Sequence, residues 1–400
     1  MRCAATGPAS RPDCSESEQA QRLPFYRNAR SATIGRLSPP DFRSRPDRSD
    51  ETPAVQRSTI KDVAKRAKVS LKTVSRVINN EPSVQARTRE RVLRAVDALD
   101  YRPDLSARSL RSAQSYAIGL VYDNPNPYYI ISVQNGALSV CRDTGFGLQI
   151  HPCNSSSPAL ADELVDLVRR ARLAGLVLAP PMSERMELIR HLAANDIKFV
   201  RILSAAEDPN DGYPCVFVDD RDAAYDITEH LIQLGHTRIG FLWGGKSHRS
   251  SPERFKGYES ALKDYGIGLN NRLIVHGDYS FDDGFRGARR LFALRERPTA
   301  IFGSNDEIAA GVLAAAKSSG IDVPYELSIA GFEDSPFSKQ SWPALTTAKQ
   351  ATEDIARHAA LRLIAELKPH AGSAAPANRG FSPQLVIRDS TARVRLATGN

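Results

Sequence analysis

The sequence predicts a small all-α segment joined to two α/β units, each built on a doubly wound parallel sheet. Apolar residues recur at helical spacing between residues 59 and 99. From Tyr116 onward, short β-rich runs alternate with helix-length segments, and they fall into two sets. A chain of 400 residues, 41% hydrophobic and 25% charged, is long enough for two or three such domains.

Residues 1–57 are rich in Arg, Ser, Pro and Asp and show no periodicity, so we expect them to be disordered. Their 10 Arg against 7 acidic residues are a weak excess. A functional basic arm and an over-long start-site assignment both stay open. The segment lacks the continuous apolar core of a signal peptide, which favours a cytoplasmic protein.

Residues 59–80 read TIKDVAKRAKVSLKTVSRVINN and predict two short amphipathic helices around a tight turn. Thr59 with Asp62 is a cap for the first helix, and Ser70 is a cap for the second. The pattern indicates a helix-turn-helix; the alternative is a basic helical hairpin on the surface of an enzyme. The apolar face of the first helix consists of Ile60, Val63, Ala64 and Ala67.

The second helix has an apolar underside at Val74, Val77 and Ile78, which leaves its polar side free for a ligand. Lys72 and Arg76 share that side, and the first residues of such a helix reach base edges in a major groove. Residues 58–114 hold 13 Lys and Arg against 6 Asp and Glu, while the remaining chain holds 41 against 40. This local excess is typical of a phosphate-binding module.

The segment 86–99 predicts a third helix, whose apolar repeat is Val92, Leu93, Val96 and Leu99. Its arginines either contact phosphate or form a solvated face. Pro103 then breaks the helix, and residues 104–112 predict a helix too short to be stable alone. Something else has to order that piece.

The α/β part has polar and aromatic residues after its β-rich runs, where such sheets bind ligands. The runs are 117–123, 147–153, 174–180, 198–203 and 215–219 in one set, and 238–244, 272–279, 299–306 and 327–334 in the other. The carboxyl ends of these runs carry residues 123–129, 219–220, 246–254, 278–279, 305–306 and 333–334. Together they suit a hydroxylated ligand; strand ends that are merely capped are the alternative.

The five cysteines (Cys3, Cys14, Cys141, Cys153 and Cys215) form no CxxC pair and have no histidine at metal-binding spacing. They predict free thiols in a reducing compartment. No apolar run approaches the ~18 residues of a membrane span. We expect neither a metal site nor a cofactor.

Several motifs in unbroken order over about residues 58–395 resemble the LacI/GalR family of bacterial transcriptional regulators. They are the helix-turn-helix stretch, YRPDLSARSLRS, the IGL strand, RxxGY, SND, GFED and LTTAKQ. The resemblance implies a repressor that binds a palindromic operator as a homodimer and is controlled by a carbohydrate-like effector. It implies a DNA-binding headpiece (58–103), a hinge helix and linker (104–115), and a core shaped like a periplasmic sugar-binding protein. The core's lobes would be 116–217 with 348–380, and 218–347 with 381–400.

By the same resemblance, Leu71, Lys72 and Arg76 match base-reading positions, with Lys72 in place of the more familiar glutamine. Leu110 matches the hinge leucine that wedges into the minor groove and bends the duplex. The full set of expected DNA-binding residues is Thr59, Leu71, Lys72, Thr73, Ser75, Arg76, Asn79, Arg108 and Leu110.

In the core, Arg254 matches the arginine that grips sugar hydroxyls or a carboxylate, and Tyr279 matches an aromatic that stacks on the ligand. Glu333 stands where the family often has aspartate, which would alter the hydroxyl accepted. The full set of expected effector-binding residues is Tyr128, Tyr129, Arg254, Tyr279, Asn305, Asp306, Glu333 and Gln350.

Three other functions fit parts of the sequence. Residues 240–247 match the P-loop pattern GxxxxGK[ST] of an ATPase or kinase, but Gly240 lies inside an apolar run. A sugar-modifying enzyme would leave the headpiece without a role, and no GxSxG, HExxH or dinucleotide GxGxxG motif occurs. A transport-binding protein would need an export signal and no basic module.

Overall fold

The computed structural model describes residues 58–78, 83–101, 115–124, 126–204, 212–245, 248–367 and 377–395. The N-terminal segment 1–57, for which we predicted disorder, lies outside these ranges, as does most of the predicted hinge. Within the described ranges, no helix is both long and apolar enough to cross a membrane.

Three helices form the headpiece: α1 (Ile60–Ala67), α2 (Leu71–Ile78) and α3 (Ala86–Ala98). The carboxylate of Asp62 accepts hydrogen bonds from the backbone N–H (2.8 Å) and the hydroxyl (2.7 Å) of Thr59. The Thr73 N–H donates to the hydroxyl oxygen of Ser70 over 3.1 Å. Both predicted helix caps are therefore confirmed.

The headpiece core is formed by one face of each helix, and its fully buried residues include Val63, Val74 and Val92. The prediction that Leu93 belongs to this core is wrong, because its side chain is 46% exposed. Ala95 is buried instead. It lies three residues after Val92, on the same face of the helix, whereas Leu93 is turned about 100° away.

The first lobe is a six-stranded parallel sheet in the order β11-β5-β4-β3-β1-β2. Its strands are β1 (Ala117–Tyr122), β2 (Gly147–Pro152), β3 (Gly175–Leu178), β4 (Phe199–Ser204), β5 (Cys215–Val218) and β11 (Arg379–Phe381). Its helices are α4 (Pro127–Thr144), α5 (Leu160–Arg170), α6 (Met186–Ala194) and α12 (Thr352–Leu367), with a 3-10 turn at Met182–Glu184. Helix α12 packs on α4, on one face of the sheet.

The second lobe is a four-stranded parallel sheet in the order β7-β6-β8-β9. Its strands are β6 (Ile239–Leu242), β7 (Ile274–Val275), β8 (Ala300–Gly303) and β9 (Ser328–Ala330), and β10 (Thr347–Lys349) pairs antiparallel with β12 (Gln384–Val386). Its helices are α7 (Asp220–Gln233), α8 (Ser250–Asp264), α9 (Phe281–Phe292), α10 (Asp306–Ser318) and α11 (Pro336–Gln340), with a 3-10 turn at Asn271–Leu273. Every predicted β-rich run contains a strand, so the prediction of two parallel α/β units is confirmed.

The chain passes between the lobes after β5, after β10 and after β11. In the first sheet the strand order reverses at β1, and in the second it reverses at β6. Such switch points open a crevice beyond the carboxyl ends of the strands. The loops after β1 and β6 therefore mark where a ligand fits.

Candidate functional site

A polar cleft lies where the carboxyl ends of the two sheets meet. Both lobes contribute side chains, as the switch points predict. The lining residues are Asn124, Asn126, Tyr129, Pro180, Ile202, Leu203, Ser204, Val218, His248, Ser250, Arg254, Tyr279, Asn305, Glu333 and Gln350.

Arg254, on α8, is the buried cation of this cleft. Its Nε donates to Asp220 Oδ1 over 2.7 Å, and its Nη1 donates to the carbonyl oxygen of Ser304 over 2.5 Å. Nη1 is also 3.7 Å from Glu333 Oε1. Burial raises the pKa of Asp220, while the adjacent guanidinium counteracts this. The guanidinium is thus already paired with carboxylates of the protein.

Glu333 sits just beyond β9 on a strained backbone. Its φ is 105° and that of Asp334 is 58°, in the left-handed region that costs energy for residues with a Cβ. The Glu333 N–H donates to Ala348 over 2.8 Å, and Arg388 pairs with Asp334 over 2.5 Å, which holds this conformation. Burial raises the pKa of Glu333 to about 8. Strain of this kind concentrates at functional sites.

Among the described residues, the hydrogen bonds that join the lobes at the cleft include those of Asn126 and Glu184. Asn126 Nδ2, at the start of α4, donates to Glu333 Oε2 over 3.0 Å. The carboxylate of Glu184 accepts from the backbone N–H of Ser204 (3.2 Å) in its own lobe and of Arg249 (3.1 Å) in the other. Burial raises the pKa of Glu184 to about 7.

Some polar atoms of the cleft have no hydrogen-bond partner within the part of the chain that the structure describes. Among them are Asn305 Nδ2, a donor, and Gln350 Oε1, an acceptor. Asn305 Oδ1 caps α10 by accepting from the Ile308 N–H over 2.9 Å, so only its amide nitrogen is unpaired. A hydroxylated ligand can satisfy both groups.

Six of the eight predicted effector-binding residues line the cleft: Tyr129, Arg254, Tyr279, Asn305, Glu333 and Gln350. Tyr128 lies outside it, edge-on to Phe337 at a centroid distance of 5.6 Å. Asp306 is buried behind it, where its carboxylate accepts from the Thr347 hydroxyl (2.6 Å) and the Ser335 N–H (2.7 Å).

The sequence interpretation named neither His248 nor Asp220 as an effector-binding residue, although Asp220 follows β5 of the first lobe and His248 follows β6 of the second. Nor did it name Asn126, which caps α4 by accepting from the N–H groups of Tyr128 and Tyr129. The available signal was their position after β-rich runs. Ser204, the last residue of β4, carried no signal beyond ending an apolar run.

The first turn of α2 presents Leu71, which is 44% exposed, and the exposed Lys72. The Thr73 hydroxyl is 2.9 Å from that of Ser70, and Ser75 and Arg76 are half-buried further along the helix. Thr59 is exposed at the start of α1. The other predicted DNA-binding residues, Asn79, Arg108 and Leu110, lie outside the described residues.

The first residues of the 240–247 segment do not form a P-loop. Gly240 lies within β6, and Phe241 and Leu242 are buried in the core at 0% and 2% exposure. A phosphate cradle would need these residues in a loop. Lys246 and Ser247 lie outside the described residues. In the part of the chain that is described, no cluster of three His, Cys, Asp or Glu side chains could hold a metal ion.

A three-helix headpiece with an exposed polar helix start, followed by two α/β lobes around a polar cleft, defines the class of ligand-responsive DNA-binding proteins.

Residues 59–104 match the model of the bacterial regulatory proteins of the lacI family, and residues 228–391 match the periplasmic binding protein-like domain. The transcriptional regulator GalR of Escherichia coli is 34% identical over 338 residues, which cover 83% of this chain and 95% of GalR. The probable repressor ExuR of Bacillus subtilis is 31% identical over 341 residues, 84% of this chain and 99% of ExuR.

Solved structures give the same result. The lac repressor dimer bound to operator and the anti-inducer ONPF matches with a TM-score of 0.67 at 27% identity, covering 84% of this chain and 99% of that one. The regulator CelR in complex with cellobiose matches with a TM-score of 0.63 at 25% identity, covering 84% and 100%. The chain therefore belongs to the LacI family of bacterial transcriptional regulators, with a DNA-binding headpiece and a ligand-binding core.

Proposed function

We propose that this regulator is a repressor that binds a palindromic operator as a homodimer and is controlled by a small carbohydrate-like effector in the cleft. The main evidence for this effector class is a cluster of polar groups between the lobes. It consists of Arg254, Glu333 and the unpaired amide atoms of Asn305 and Gln350. The solved CelR relative holds a disaccharide, cellobiose, which supports the same ligand class.

The DNA-binding surface in this proposal is the first turn of α2. Leu71, Lys72 and Arg76 read base edges, and the surrounding Lys and Arg residues contact phosphate. Phosphate contacts supply affinity that falls as the salt concentration rises. The segment 104–112, with Leu110, inserts at the centre of the operator and folds there.

The two sites are linked through the position of the lobes. A ligand hydroxyl that donates to Glu333 competes with Asn126, whose amide donates to the same carboxylate across the lobes over 3.0 Å. Replacing that bridge shifts how the lobes close, and this changes whether the hinge segments can order on DNA. A coupling of about 1 to 3 kcal/mol would alter operator affinity severalfold to a hundredfold.

The cleft serves binding and not catalysis in this proposal, and it needs no cofactor. The relatives that cover most of this chain are transcriptional regulators, which supports that role. The protein would act on chromosomal DNA in the bacterial cytoplasm.

The experiment selects operator fragments with the full-length protein and measures their affinity by fluorescence anisotropy, with and without a panel of sugars. We expect Lys72→Ala to change the preferred base at one position of each half-site, whereas the control Lys263→Ala on α8 leaves preference unchanged. Uniform weakening on all sequences would assign Lys72 to phosphate. If no sugar in the panel changes operator affinity, the proposed effector class is wrong.

A further inference from the structure

We infer that the effector is an uncharged polyhydroxyl compound, a neutral sugar, and that the cleft discriminates against sugars bearing a carboxylate or a phosphate. The inference rests on the proposed function, because it specifies the ligand of the same cleft. Three independent features of the described residues support it. The cation of the cleft, Arg254, is paired with carboxylates of the protein. The backbone N–H groups at the helix starts already have acceptors, and the unpaired polar atoms of the cleft include both a donor and an acceptor.

The cation of the cleft is already neutralised. Asp220 lies 2.7 Å from Arg254 and is 1% exposed, and Glu333 lies 3.7 Å from the same guanidinium. Burial lowers the pKa of His248, which disfavours the charged form of this lining residue. An anionic ligand reaching Arg254 would place a third acidic group around one positive charge in a site with little water.

The charge of Arg254 is neutralised whether Glu333 is protonated or ionised. With Glu333 ionised, two carboxylates face one guanidinium. With Glu333 protonated, Asp220 alone still matches the charge of Arg254. In both protonation states the net charge of Arg254, Asp220 and Glu333 together is zero or negative, so these three side chains do not attract an anion.

Helix starts, the other common anion site in proteins, are occupied here by oxygens of the chain itself. At α4, Asn126 Oδ1 accepts from the N–H groups of Tyr128 (3.0 Å) and Tyr129 (3.3 Å). At α10, Asn305 Oδ1 accepts from Ile308. Just before α8, Glu184 accepts from the Arg249 N–H. These backbone donors are therefore not offered to a ligand.

The remaining polar groups suit a molecule that both donates and accepts. Gln350 Oε1 needs a donor and Asn305 Nδ2 needs an acceptor, and an ionised Glu333 also accepts. A sugar hydroxyl supplies both functions. The carboxylate or phosphate group of an anionic sugar only accepts, so that group cannot pair with Gln350 Oε1, and an ionised Glu333 faces it with like charge.

Calorimetric titration of the full-length protein with matched sugar pairs tests the inference. The pairs are D-glucose with D-glucuronate, D-galactose with D-galacturonate, and D-ribose with ribose 5-phosphate. We expect the neutral member of the best-bound pair to bind at least ~10-fold more tightly than its anionic partner. An anionic partner that binds as tightly or more tightly overturns the inference while leaving a sugar effector in place. Binding of none of the six overturns the sugar effector and the inference with it.

A variant shows whether Glu333 supplies the discrimination. Raising the pH from 6.5 to 9 ionises Glu333, whose pKa is about 8, so the preference for the neutral sugar should grow in the parent protein. In Glu333→Gln this growth should be smaller than in the parent, and what remains comes from Glu184 at the cleft and Asp306 behind it, which ionise over the same pH range. The control Glu259→Gln, exposed on α8 outside the cleft, should behave like the parent. Growth of the preference in Glu333→Gln equal to that of the parent contradicts the assignment of the discrimination to this residue.

Discussion

Arg254 combines two tasks at the scale of a single residue. It lines the cleft, and it also neutralises Asp220, which is 1% exposed. Its guanidinium carbon lies 3.7 Å from the centre of the Phe332 ring, which adds a cation–π contact. Removing the arginine alone therefore leaves a buried carboxylate without its partner, so ligand binding and stability change together in that variant.

Separating the two tasks requires a pair of substitutions. Arg254→Met should lower the free energy of unfolding by about 3 kcal/mol, because breaking a buried ion pair leaves an uncompensated charge. Adding Asp220→Asn should restore most of that loss, since the buried charge is then gone. Urea unfolding measures both. The effector response of operator binding should be lost in both variants, and its recovery in the double variant would show that Arg254 acts only on stability.

From the sequence we could predict which residues line the cleft more often than which residues they contact. Arg254, Asn305 and Glu333 follow β-rich runs, and the order of strands in the sheets brings such positions together. Tyr128 and Tyr129 could not be told apart, because neighbours on a helix differ by about 100° and packing decides which one faces the cleft. The bond between Asn126 and Glu333 joins residues 207 positions apart, which no local pattern predicts.

At the scale of elements, the 3-10 turn Met182–Glu184 connects three parts of the core. Glu184 Oε1 accepts from Ser204 at the end of β4, and Oε2 accepts from Arg249 just before α8. Both donors are backbone N–H groups, so the contact depends on where these elements lie and on the side chain of Glu184 alone. The turn thus helps to hold the second lobe against the first.

The raised pKa of Glu184 makes this contact sensitive to pH. Its pKa in the folded protein is about 7, above the ordinary glutamate value of 4.5, so the folded state holds the proton more tightly than the unfolded state. This stabilising contribution is complete below about pH 4.5 and is lost as the pH rises through 7. The free energy of unfolding therefore changes through this group by at most about 1.4 kcal/mol per pH unit.

Glu184→Gln should therefore reduce the decline in the free energy of unfolding between pH 5 and pH 8. Because glutamine has a single side-chain oxygen, the variant should also lose about 1 kcal/mol at every pH from one missing hydrogen bond. Urea unfolding at several pH values measures the slope and the offset separately. Glu187→Gln, at an exposed position on α6, is the control and should keep the parent slope. An unchanged slope in Glu184→Gln would contradict the prediction.

At the scale of the whole molecule, we expect an exposed apolar surface on the second lobe to contact the second copy of the chain in the proposed homodimer. Trp342 is 84% exposed, beside a groove lined by Phe281, Leu313 and Phe337. Large aromatic side chains at this exposure are typical of interfaces and not of free surface. The related lac repressor structure is a dimer bound to operator. Sequence patterns predicted the two sheets behind this surface, but exposure follows from packing and could not be predicted from residue type.

Trp342→Glu should weaken the dimer, because it places a charge in an apolar contact and removes an aromatic anchor. A loss of at least about 2 kcal/mol, the size of an interface hot spot, raises the dimer dissociation constant ~30-fold or more. Sedimentation velocity measures this over a range of protein concentrations. Affinity for a full palindromic operator should fall in parallel, while affinity for an isolated half-site should stay unchanged, because each headpiece folds around its own core. Leu269→Glu replaces another exposed apolar residue and should remain dimeric. If Trp342→Glu also stays dimeric, the subunits meet through a different surface.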